Sequence, residues 1–138
     1  MDTKPVFLCM ADGRQRPAPP AGANGAFLTW WRAADAGAWR GYCVGGQSPP
    51  AGWVALQTLA DLPGASRGER ARYHYVVETD IPQAAEDEFN AWYQTEHLPG
   101  LASVPGTISA RRYLRLDGGE PRYIACYDLA TPAAMQRP

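Results

Sequence analysis

Short apolar runs alternate along the chain with breaks rich in proline, glycine or charge, and their spacing sets the expected elements. Val6-Phe-Leu-Cys-Met-Ala11 has the unbroken apolar character of a fully buried strand. Residues 13–25 carry Pro17, Pro19 and Pro20 among Gly, Ala and Arg, which excludes regular structure. A helical spacing follows from Ala26 to Ala36, with Asn24 as its cap and Gly37 as its stop. Residues 39–44 and 53–59 are expected strands on either side of the turn-forming segment from Gly45 to Gly52. The stretch from Asp61 to Arg70, with Pro63, Gly64 and Gly68, reads as a linker.

The second half opens with the strong strand Tyr73-His-Tyr-Val-Val-Glu-Thr79. Asp80-Ile-Pro-Gln83 then predicts a helix start, with Asp80 as cap and Pro82 in the first turn. Glu86, Asp87 and Glu88 fall early in that helix, where carboxylates suit its dipole, and Pro99-Gly100 is its expected end. Residues 108–116 and 122–129 are expected to pair as a hairpin around Asp117-Gly-Gly-Glu-Pro121. Thr131-Pro132-Ala-Ala reads as the opening of one more helix.

Both halves thus read strand–helix–strand–strand. The helices share an aromatic frame, Phe27, Trp30 and Trp31 matching Phe89, Trp92 and Tyr93, and differ at the end, Asp35 against His97. The expected organisation is two βαββ half-repeats, residues 1–63 and 72–138, joined by a linker at 64–71 and sharing one core. The last strand alternates Tyr123, Ala125, Tyr127 and Leu129 with Ile124 and Cys126, so it is apolar on both faces. Such a strand belongs to an α+β layer whose open sheet face meets another sheet.

Composition narrows the classes. With 46% hydrophobic and 20% charged residues, the 138-residue chain is globular in character, and a net charge of −1 gives no field to draw in nucleic acid. No apolar run is long enough to span a bilayer, and the N-terminus lacks the pattern of a signal peptide. Cys9, Cys43 and Cys126 are widely spaced and read as free thiols, so the expected location is the cytoplasm. Five Trp and seven Tyr exceed what a minimal core needs and serve equally as packing and as pocket walls.

On an α-helix, Phe89, Trp92, Tyr93, Glu96 and His97 fall on one face, which ends in two titratable groups. The imidazole of His97 is either a proton-transfer group or a cap on the last carbonyls. Glu96 either accepts a proton or pairs with Arg111 or Arg112. His74, mid-strand, reads as a satisfied structural histidine. No close His/Cys spacing implies a metal, and no glycine-rich phosphate loop is present, so no cofactor is expected.

Phe89–Pro99, Val104-Pro-Gly106, Ala110-Arg-Arg-Tyr113 and Pro121–Leu129 resemble, in their order, the dimeric α+β barrel superfamily and its EthD-like group. The resemblance covers residues 72–132 and implies ferredoxin-like antiparallel sheets that form a barrel in a homodimer. This chain departs from the pattern, because a full unit carries a second helix and a fourth strand. Relatives in that superfamily include cofactor-free monooxygenases, polyketide cyclases and isomerases. The expectation is therefore a small cofactor-independent enzyme of isomerase, cyclase or lyase type acting on an apolar or aromatic carbonyl compound. His97, Glu96 and Tyr75 are its candidate catalytic residues, and Phe89, Trp92, Tyr93, Tyr123 and Tyr127 its candidate pocket. The alternatives are a non-catalytic binding or assembly module and a cofactor-free monooxygenase.

Overall fold

A computed structural model describes residues 5–12, 27–33, 38–45 and 52–135. The proline-rich segment 13–25, the expected cap Asn24, Asp35, the stop at Gly37 and most of the turn after residue 45 lie outside the described residues. Seven strands are present: β1 (Val6–Asp12), β2 (Phe27–Arg32), β3 (Ala38–Val44), β4 (Val54–Pro63), β5 (Tyr73–Thr79), β6 (Thr107–Arg115) and β7 (Tyr123–Leu129). One helical segment, residues 83–102, lies between β5 and β6, which makes the fold α+β. No helix among the described residues is long and apolar enough to cross a membrane.

The chain divides into two compact units, Met1–Thr58 with Arg115–Gly118, and Leu59–Leu114 with Gly119–Pro138. In the first unit the strand order is β2-β3-β1-β4. The β1–β3, β1–β4 and β2–β3 pairs are antiparallel, with Leu8 opposite Tyr42 and Val54. Val6, Phe7, Leu8, Tyr42, Cys43 and Leu56 are its buried apolar residues. The helix expected over residues 26–36 is absent here: Phe27–Arg32 is strand β2. Phe-Leu-Thr-Trp-Trp-Arg satisfies a period of two as well as a helical one, and its aromatic and β-branched residues suit a pleated surface. Gly41 completes the accommodation, since a Cβ there would meet the Trp30 ring at 2.4 Å.

In the second unit the order is β4-β6-β7-β5, with His74 opposite Asp128 in the antiparallel β5–β7 pair and Arg112 opposite Ala125 in β6–β7. Strand, helical segment, strand, strand is the order expected for residues 72–129. β7 is buried on both faces, as its double apolar pattern requires. β4 reaches Pro63, beyond its expected end, and the following turn is tied down by Gly64 N–H donating to Ile108 O at 2.8 Å. Gly64 must be glycine, because a Cβ there would lie 2.1 Å from the Thr107 carbonyl oxygen.

The helical segment departs from its expected form at both ends. Asp80 makes no cap: its carboxylate accepts from the Arg122 backbone N–H at 2.9 Å, and a 3₁₀ turn (Gln83–Ala85) begins the segment instead. Helix α1 (Glu86–Trp92) carries the three expected carboxylates in its first turn. A π turn (Tyr93–His97) follows, then helix α2 (Leu98–Ala102), so Pro99-Gly100 does not end the helical path. A proline ring collides with the carbonyl four residues back, here Thr95, and a widened turn relieves that collision. Tyr93, Leu98 and Ala102 pack on Ala110, Ala125, Tyr127 and Leu129 of the sheet, with Ala134 of the closing 3₁₀ turn (Pro132–Met135). All three cysteines are free thiols.

Candidate functional site

The π turn fixes which residues of the helical segment meet. Its backbone bond runs from Leu98 N–H to Tyr93 O, five residues back, so side chains five apart stand one above the other. His97 therefore stacks on Trp92, with ring centroids 4.5 Å apart and planes at 18°. It also meets Tyr93 edge-on at 4.9 Å. Glu96 is turned off this face and is exposed, so the pairing with Arg111 or Arg112 does not form. His97 does not cap helix-terminal carbonyls either, because the helical path runs on through Leu98.

The other candidate aromatics join the same network. Phe89 contacts Trp92, Tyr93 and Tyr123 at centroid distances of 6.1, 5.4 and 6.3 Å. The Tyr93 and Tyr127 hydroxyls share a buried hydrogen bond of 2.9 Å, and Tyr75 lies 6.2 Å from the Tyr127 ring. Tyr75, Tyr127, Tyr93, His97 and Trp92 thus form one continuous chain of contacts. Its two ends are open, Tyr75 at 47% exposure and Trp92 at 43%. Every candidate named from sequence belongs to this network except Glu96.

Burial governs the protonation of the network. It holds the half-buried imidazole of His97 below its ordinary value, so His97 is neutral at pH 7 and able to accept a proton. Burial likewise pushes the Tyr93 and Tyr127 phenols up, which keeps both protonated as hydrogen-bond donors. Among the described residues His97 has no hydrogen-bond partner.

Arg112 is the residue that sequence reasoning missed. The residue is 1% exposed, and its guanidinium lies over three rings, Tyr93 at 4.6 Å, Tyr123 at 4.8 Å and Phe89 at 5.4 Å. It donates to Asn90 Oδ1 at 2.5 Å, and no carboxylate among the described residues pairs with it. Burial holds its pKa below the ordinary value, offset in part by the surrounding tyrosines. The available signal was its register: Arg112 follows Ala110 on the apolar face of β6, while Arg111 occupies the other face. Val77, Thr79, Phe89, Tyr93, Tyr123 and Ala125 complete the box, and the space between them is too narrow for a water molecule.

A second polar group lies on the opposite face of β5–β7. His74 Nδ1 is 2.7 Å from Asp128 Oδ1, while Arg111 Nη2 at 2.6 Å and Ser109 Oγ at 3.3 Å both donate to Oδ2. The His74 side chain is only 2% exposed, in accord with a satisfied strand histidine. A separate cleft of about 230 Å³ is lined by Tyr73, His74, Tyr75, Leu129, Pro132 and Met135, and it brings Tyr75 to an open space.

No family model matches the chain, and neither a curated protein nor a solved structure matches it significantly.

Proposed function

We propose that this chain is a small cofactor-independent enzyme in which His97 moves a proton next to the carbonyl of an apolar or aromatic compound. The observation that carries this reading is the stacked, neutral imidazole of His97, continuous through Tyr93 and Tyr127 with Tyr75. A neutral imidazole backed by an indole face accepts a proton near neutral pH, and general-base action of this kind contributes about 10²–10⁴-fold in rate. Exposed Trp92 offers a flat apolar surface for an aromatic substrate beside the base. Tyr75, half-exposed at the cleft, is the phenol best placed to donate to a developing enolate, because Tyr93 and Tyr127 spend one hydroxyl hydrogen on each other. Glu96 takes no part in this scheme. The order of the motifs at Phe89–Pro99, Val104–Gly106 and Ala110–Tyr113 supports a place near the EthD-like group and a homodimer as the working assembly.

Deuterium exchange tests the reading without knowledge of the natural substrate. In D2O, NMR of simple aryl alkyl ketones reads out catalysed exchange of the hydrogens next to the carbonyl. Wild-type protein is expected to accelerate exchange, and His97→Gln to remove at least about 100-fold of that acceleration with the fold intact. Equal exchange by wild type and His97→Gln would sink the proposal.

The closed Arg112 box favours a second reading, a non-catalytic binding module in which the aromatics are core. That reading expects no exchange by the wild-type protein and unchanged behaviour on replacing His97.

A further inference from the structure

We propose that the cleft of the second unit lined by Tyr73, Tyr75, Leu129, Pro132 and Met135 is a binding site for a flat aromatic molecule of one ring or two fused rings, held between the Tyr73 and Tyr75 rings. This does not depend on any reaction at His97, which is not part of the lining. Unlike the Arg112 box, the cleft has room, about 230 Å³. An apolar cavity of about 150 Å³ takes up benzene, so this space admits one substituted ring or two fused ones and falls short of a drug-sized ligand.

The strand itself sets the slot. Tyr73 and Tyr75 are two apart on β5, so both project from one face and stand about 6.8 Å apart along it. A ring inserted between two others needs about 3.5 Å on each side, close to the same spacing. Neither tyrosine fills the slot: among the described residues Tyr73 makes no ring contact, and Tyr75 meets only the Tyr127 ring, at 6.2 Å. Leu129, opposite Tyr73 in β7 and buried, forms the floor, and Pro132 and Met135 of the closing turn form a further wall. The Met135 thioether suits the edge of an aromatic ring. No Lys, Arg, Asp or Glu lines the cleft, so recognition falls to ring faces rather than to charge. Both tyrosines are half-exposed, so a ligand that covers them removes apolar surface from water while a polar substituent stays in solvent.

Titration of the full chain with 2-naphthol and, separately, with its saturated counterpart decahydro-2-naphthol, followed by NMR of the Leu129 and Met135 methyl groups, tests this. 2-Naphthol is expected to bind saturably and at least about 5-fold more tightly than the saturated alcohol, because stacking rewards a flat ring on both faces. Burial of apolar surface alone would leave the two equal or favour the saturated alcohol. In the complex, naphthol protons should show nuclear Overhauser contacts to the rings of both Tyr73 and Tyr75. Tyr73→Leu, at a half-exposed position outside the core, keeps an apolar side chain and removes one ring face. It should weaken 2-naphthol about 5-fold while leaving the saturated alcohol within about 2-fold. No saturable shift of the two methyl groups overturns the proposal. So does equal or tighter binding of the saturated alcohol, a complex without contacts to both tyrosines, or unchanged 2-naphthol affinity in Tyr73→Leu. None of these readings involves turnover, so their failure leaves the deuterium-exchange test of His97 standing.

Discussion

The Tyr93–Tyr127 pair shows how single residues divide between holding the fold and serving the site. Each phenol is buried, and each has the other as its described acceptor or donor at 2.9 Å. Replacing one by Phe strands the other hydroxyl, which costs about 1–3 kcal/mol, whereas replacing both removes the need for a partner. Urea unfolding of Tyr93→Phe, Tyr127→Phe and the double variant should therefore show the double variant less destabilised than the sum of the singles. Strict additivity would mean that the hydrogen bond does not hold these side chains together. The pair also marks the limit of reading from residue types. Tyr93 and Tyr127 were legible as pocket walls because they lie at helical and strand spacings on apolar faces. Arg112 was not, because a charged residue is ordinarily exposed, and it is the rings brought to it from the helical segment and β7, with the Asn90 amide, that make its burial tolerable.

At the scale of elements, strands β1 and β3 to β7 were legible because their apolar runs are bounded by turn residues. Two elements were not. β2 shares its aromatic frame with α1, and a run of six residues with large apolar groups fits a helix and a buried strand alike. The pairing of β2 with β3, Trp30 opposite Gly41, decides the matter through contacts distant in sequence. The π turn was also invisible, because spacing arguments assume a constant helical period. Its origin in Pro99 is open to test. Pro99→Ala removes the ring that opposes the Thr95 carbonyl and allows an ordinary α turn, in which residues five apart no longer stack. His97 ring protons, shifted upfield by the Trp92 indole in the wild type, should then move toward their free-chain positions in the NMR spectrum. A shift that stays upfield would show that packing of Tyr93 and Leu98 on the sheet, rather than Pro99, sets the wide turn.

At the scale of the whole molecule, the shifted groups act together on stability against pH. Burial holds His97 below its ordinary value of 6.5. Asp128 is also held below its ordinary 3.8: burial would raise it, but the His74 hydrogen bond and the Arg111 charge outweigh that. For both groups the unfolded chain binds a proton more readily than the folded one, so stability is full above the unfolded value and falls as pH drops through it. His97 acts first, below 6.5, and Asp128 later, below 3.8. The phenols act in the opposite sense. Burial raises Tyr93 and Tyr127 above 10.0 and Tyr113 to about 12, so the folded state resists their ionisation and stability is lost as pH rises past 10.0. The melting temperature should thus hold a plateau from about pH 7 to 9 and decline on both sides. His97→Gln should remove the first part of the acid decline, and Asp128→Asn should flatten the part below pH 4 while lowering the plateau, since it leaves Arg111 without its carboxylate. A melting temperature that rises on acidification from pH 7 to 5 in the wild type but not in His97→Gln, which keeps the His74–Asp128 pair, would mean that the His97 imidazole is stabilised as a cation. It would then be no neutral base, and the reading of the stacked histidine as the proton acceptor would fall with it.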